Sequence, residues 1–211
     1  MEKKIDYSDD IKTIKKIMEE SSRFLSLSGL SGLFAGLSAV AGGLVAHFSI
    51  LKYKTLFINE SLTNLSEKDF APIKIQLIAD AAIVLIFALA ISFYFSYRSS
   101  QRRGHKIWSP VSQRFLLSLL IPLVTGAFFI LILFLEKQWQ LIVPSMLIFY
   151  GLALISAGKF TYSEVFYLGL AEILTGFCAA VFQGPTVLFW IIGFGFLHIG
   201  YGLFMYRKYE G

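Results

Sequence analysis

The chain has 211 residues, 56% of them hydrophobic and only 16% charged, with 21 Phe and a formal net charge of +5. A soluble domain carries about 25% charged residues and has too little interior to hide this much apolar surface. Disorder is excluded by the composition and a disulfide scaffold by the single cysteine, Cys178, which leaves an integral membrane protein with several spans.

Residues 1–24 carry twelve charges, six of each sign. A secretory signal needs a short basic stretch followed by an apolar core, so the first span is expected to stay in the mature protein. Ser8 can cap a helix starting near Asp9 and Asp10. Ile11, Ile14, Ile17 and Met18 share one face of that helix, and Lys12, Lys15, Lys16, Glu19 and Glu20 share the other. The segment reads as an amphipathic arm. It serves either as an anchor on the membrane surface or as a docking arm for a cytoplasmic protein.

A helix needs about 20 mostly apolar residues to cross the hydrocarbon core. Six segments qualify: 25–50, 73–97, 115–135, 141–157, 163–182 and 187–206. Lipid satisfies no open backbone group, and the alternating pattern of a barrel is absent, so the spans are helices. The fourth is short and contains Pro144, which allows a tilted or kinked helix. Gly184-Pro185 is a turn signal that makes spans five and six an antiparallel hairpin.

Span one holds a stripe of small residues. Gly32 and Gly36 form a Gly-x-x-x-Gly pair, extended by Ser28, Ala39 and Gly43. Small side chains at that spacing let two helices approach closely. The stripe serves packing within one protomer or a homodimer seam, and in both cases it faces protein.

Few ionisable residues fall inside spans, where each charge costs about 2.5–3.5 kcal/mol on insertion scales and is a functional candidate by default. His47 lies near the outer end of span one, and Asp80 lies roughly 10 Å into span two. These two could meet, or Asp80 could reach a snorkelling Lys74. Glu172 in span five and His198 in span six fall at matching depth on the predicted hairpin. An imidazole can donate to a carboxylate or share its proton. The pair is therefore a protonatable site or a polar clip that docks the two spans.

Between spans two and three, Arg98, Arg102, Arg103 and Lys106 form a basic loop without an acidic residue. It reads as a topology determinant beside anionic headgroups or as a dock for an acidic cytoplasmic protein. With the N-terminus inside, the cytoplasmic side holds fourteen Lys and Arg and the outer side five. Both termini are then expected in the cytoplasm. This bias explains the net positive charge without nucleic acid. Two acceptor sequons, at Asn59 and Asn64 in the outer loop, carry no functional weight.

Catalytic signatures are missing: there is no His-Glu-x-x-His, Gly-x-Ser-x-Gly or phosphate loop. His47, His105 and His198 lie at three different depths, which argues against a metal or haem cage. Cys178 reads as a small packing residue. No enzyme, metal or cofactor is expected.

The last span, from Phe189-Trp190 through Gly193, Gly195, His198, Gly200 and Gly202 to Tyr206 and Glu210, and the stretch from Phe24 to Gly32 together resemble an uncharacterised family. Its members are small six-span inner-membrane proteins of Bacteroidota-type bacteria. The resemblance covers about a fifth of the chain. It implies a bacterial inner membrane and six spans, and it brings no activity and no site residues.

The expected fold is thus an all-α, multi-pass membrane bundle of six helices behind a short amphipathic helix. The expected role is that of a non-enzymatic membrane subunit or signal-responsive partner. The alternative is a small secondary transporter or channel that uses Glu172 and His198. Expected partners are the lipid bilayer, a candidate cytoplasmic protein and a candidate second copy of the chain.

Overall fold

A computed structural model describes residues 27–58, 71–102, 108–182 and 184–211. The arm at 1–24, both sequons, Arg103 and Lys106 lie outside the described residues. The described residues form six helices: α1 Gly29–Ile58, α2 Ala71–Arg102, α3 Pro110–Leu135, α4 Trp139–Gly158, α5 Ser163–Val181 and α6 Thr186–Tyr209. Each is long and apolar enough to cross a membrane, and no strand occurs among the described residues. The chain is a multi-pass, all-α membrane protein.

Several helices run further than hydropathy alone predicts, because polar residues can extend a helix beyond the hydrocarbon core. α1 continues through Lys52, and α2 continues to Arg102. Arg98 and Arg102 are therefore helical, which corrects their assignment to a loop. α3 starts earlier than expected, at Pro110. Ser109 accepts the backbone N–H of Ser112, the Ser112 hydroxyl accepts the Ser109 N–H, and proline occupies the first turn, where its missing N–H does no harm. α4 is one helix of 20 residues despite Pro144.

α1 packs against both α2 and α6, α4 packs against both α3 and α5, and α6 bridges the two groups. Two seams bring backbone against backbone. In α1, Gly29, Gly36 and Gly43 follow one another a heptad apart, and they meet α6 at Gly195, Gly202 and Ile191. A Cβ on Gly36 would stand 2.7 Å from the Gly195 carbonyl oxygen. A Cβ on Gly202 would stand 2.7 Å from that of Gly29. The second seam joins α4 and α5. There Gly151 and Gly169 face each other, and a Cβ on either would come within 2.6 to 2.7 Å of the other's carbonyl oxygen. Lipid tails are as apolar as leucine, so helices associate in a bilayer through such close packing rather than through the hydrophobic effect.

A buried cluster of Leu154, Val165 and Leu168 closes the centre, with Leu27, Leu119, Tyr150, Leu197 and Tyr201 packed on it. α2 lies outside this core. Only Ile73 and Ser100 are buried along it, and Ile83, Ile86, Leu89 and Phe93 are exposed on the surface that meets lipid.

The C-terminus closes one end of the bundle. Glu210 accepts the Gly29 N–H at 2.5 Å and the Ser28 hydroxyl at 3.1 Å, so a carboxylate from the last residues caps the first described helix. Beside it, Glu164 at the start of α5 accepts from Lys208 Nζ at 2.6 Å and from the Tyr209 hydroxyl at 3.0 Å. At the other end, Lys74 Nζ lies 4.2 Å over the Trp139 ring.

Candidate functional site

Deep in the bundle, α4, α5 and α6 converge on one polar group. α5 contributes Glu172, which is fully buried. α6 contributes His198, 7% exposed, and α4 contributes Tyr150. His198 Nδ1 lies 3.3 Å from Glu172 Oε1 and 3.1 Å from the carbonyl oxygen of Gly193. His198 Nε2 lies 2.8 Å from the Tyr150 hydroxyl oxygen.

α6 is not a regular helix at this depth. It opens with an α-helical turn, Thr186–Trp190, becomes π-helical over Ile191–Leu197 and returns to α-helix at His198–Tyr209. The wider turn is uncommon and tends to occur at functional sites. Two of its residues, Gly193 and Gly195, have neighbours that leave no space for a side chain. A Cβ on Gly193 would stand 2.7 Å from Glu172 Oε2 and would also clash with Leu147. A Cβ on Gly195 would meet Val40 Cγ2 at 2.6 Å. The π segment therefore lays bare backbone beside the carboxylate.

The partners fix the hydrogen positions. A carbonyl oxygen only accepts, so the Gly193 contact assigns a hydrogen to His198 Nδ1 in both charge states of the ring. With a neutral ring, Nε2 accepts the Tyr150 O–H. With a charged ring, Nε2 donates, and the phenol must turn its own hydrogen elsewhere. Gaining or losing one proton at His198 thus reorients Tyr150 on the neighbouring helix.

Glu172 is less well served. The approach of Nδ1 is within ion-pair range, but neither carboxylate oxygen takes part in a hydrogen bond. An ionised carboxylate without hydrogen bonds is strongly disfavoured in so apolar a setting. The walls are aromatic: the rings of Tyr150 and Phe194 lie tilted at 5.3 Å, and those of Trp190 and Phe194 at 5.7 Å. Lys208, about 15 Å further along α6 by the α-helical rise, is committed to Glu164.

The other sequence-predicted residues do not join this group. Asp80 and His47 form no ion pair or hydrogen bond with each other, which corrects the expected pairing. Asp80 is half-buried against Gly42, and His47 is exposed beside Phe48. Lys74 sits on Trp139 instead of on Asp80. Gly32, Gly36 and Gly43 all face α6 of the same chain. Cys178 is exposed rather than packed. Among the described residues, no three His, Cys, Asp or Glu side chains gather as metal ligands would.

Sequence reasoning missed Tyr150 and Gly193. The signal for Tyr150 was a phenol midway along an apolar span, where a buried hydroxyl needs a partner. Nothing in the sequence marked the π-helical turn. Comparison with protein-family models, with curated proteins and with solved structures returned no match.

Proposed function

We propose that the chain is a proton-coupled membrane protein, a small secondary transporter, whose protonatable site is Glu172 and His198 with Tyr150 as relay. The observation that carries this reading is the fully buried Glu172, with both oxygens outside any hydrogen bond, 3.3 Å from an imidazole. A mere clip between α5 and α6 has no need of two ionisable groups, and buried polar pairs are often replaceable by apolar residues without loss of stability. The π-helical segment of α6 beside the site supports the same reading, since such wider turns are frequent at functional sites.

The proposed setting is a bacterial inner membrane with both termini in the cytoplasm. The excess of Lys and Arg on one side supports this orientation, and an even number of crossings puts both ends on one side.

The test is infrared spectroscopy of the protein in bilayers as pH is varied. A carboxylic C=O band that changes with pH and is missing from Glu172→Gln is the expected result. A Glu172 band that stays constant would overturn the proposal.

A second reading, a membrane subunit that uses the arm at 1–24 and the Arg98–Lys106 segment to dock a cytoplasmic protein, is favoured by the marginal position of α2, which buries only Ile73 and Ser100. Purification from native membranes in mild detergent separates the two. A stoichiometric second protein supports the subunit.

A further inference from the structure

A cleft of about 450 Å³ opens between the ends of α1, α2 and α6, at the end of the bundle where Glu210 caps α1. This volume lies within the range of small-molecule sites. Arg98 and Arg102, one turn apart on α2, line it together with Leu30, Phe95, Ser28 and Glu210. Both arginines are exposed, and neither forms an ion pair with a described residue. The acidic side chain of the cleft is already engaged, because Glu210 accepts from Ser28 and Gly29. The cleft thus holds two guanidinium groups and one carboxylate, a net positive charge.

Leu30 and Phe95 give the cleft an apolar part. Phe95 stacks on Phe34 at 5.5 Å, and Phe34 is exposed on the surface that meets lipid. A ligand that fits carries an anionic head for the arginines and an apolar tail able to leave along α1 and α2. Guanidinium groups match phosphate oxygens in geometry as well as charge, and basic pockets between membrane helices hold anionic headgroups.

We propose that this cleft binds the phosphate headgroup of one anionic phospholipid, held by Arg98 and Arg102 beside the carboxylate of Glu210. The site differs from a topology determinant, which needs only charge near the membrane, in being saturable at one lipid per chain. It is independent of the Glu172–His198 group and of the orientation proposed above. Glu210 opposes the headgroup by charge.

The test is native mass spectrometry of the purified chain in neutral detergent, titrated with phosphatidylglycerol and, separately, with phosphatidylcholine. Saturation at one phosphatidylglycerol per chain is expected, with weaker binding of phosphatidylcholine. R98Q/R102Q is expected to weaken phosphatidylglycerol about tenfold or more, the effect of losing charge-assisted hydrogen bonds. Because both side chains are exposed, the fold is not at stake. E210Q retains a carbonyl oxygen to cap α1 and is expected to bind the lipid more tightly. Unsaturable binding, equal affinity for the two lipids, or unchanged affinity in R98Q/R102Q would overturn the site. Unchanged or weaker binding in E210Q would overturn the placement of the headgroup beside Glu210. Displacement of the lipid by inorganic phosphate at comparable concentration would assign the cleft to a soluble anion and overturn the lipid source.

Discussion

His198 holds its place through three contacts from three directions: Gly193 on its own helix, Glu172 on α5 and Tyr150 on α4. Its ring therefore reports on the packing of all three helices. Removing it leaves Glu172 buried with no counter-group, a change that costs about 3–5 kcal/mol when a buried pair is broken. Glu172→Gln removes the carboxyl group that His198 faces. The losses from Glu172→Gln and His198→Ala are accordingly expected not to add, with a coupling of about 0.5–3 kcal/mol. Unfolding in detergent of the two single variants and the double variant measures it, and additive losses would reject the pairing. The pairing itself was legible in the sequence, because two ionisable residues at matching depth on adjacent antiparallel spans have few other partners. The failure of Asp80 to meet His47 has an equally local cause: Asp80 faces Gly42, while His47 turns outward.

At the scale of the element, the glycines of α1 and α6 set how near the helices come. Gly36 sits where the Gly195 carbonyl lies 2.7 Å from any added Cβ, and a backbone oxygen cannot swing aside as a side chain can. Gly36→Leu is expected to lower stability by about 1–3 kcal/mol, the usual effect of overpacking. Gly200 provides the control. A Cβ there has nothing within 4 Å, and alanine is the better helix former, so Gly200→Ala is expected to leave stability unchanged or raised by up to about 1 kcal/mol. Thermal unfolding of the two variants side by side checks the seam. If Gly36→Leu melted like the wild type, the α1–α6 packing would be wrong. The stripe on α1 announced itself through the Gly32–Gly36 spacing. The α4–α5 seam was harder to see, because Gly151 and Gly169 lie on different helices and become a pair only when the two pack.

Across the whole molecule, the start of α1 and the end of α6 meet at one end of the bundle. Glu210 caps α1, and Lys208 and Tyr209 hold Glu164. Six crossings put the start of α1 and the end of α6 on one side, and the proposal that this side is the cytoplasm rests on the count of basic residues. Reporter fusions at the N-terminus and the C-terminus are expected to give the same cytoplasmic signal. Opposite signals would mean an odd number of crossings, and two external signals would reverse the orientation.

The sequence by itself determined the class of protein and the number and approximate limits of its helices. Runs of apolar residues in lipid have one stable backbone solution, and it depends on each segment alone. It also determined that Glu172 and His198 share a depth, since depth follows from position along a helix. Tertiary structure alone decided which faces meet. It turned Tyr150 toward His198, brought Glu210 to the start of α1 and laid Gly193 bare beside a carboxylate. These contacts join residues from separate helices, and the rotation of a helix about its axis follows from packing against its neighbours. The spans are apolar on every side, so their hydrophobic pattern could not fix that rotation.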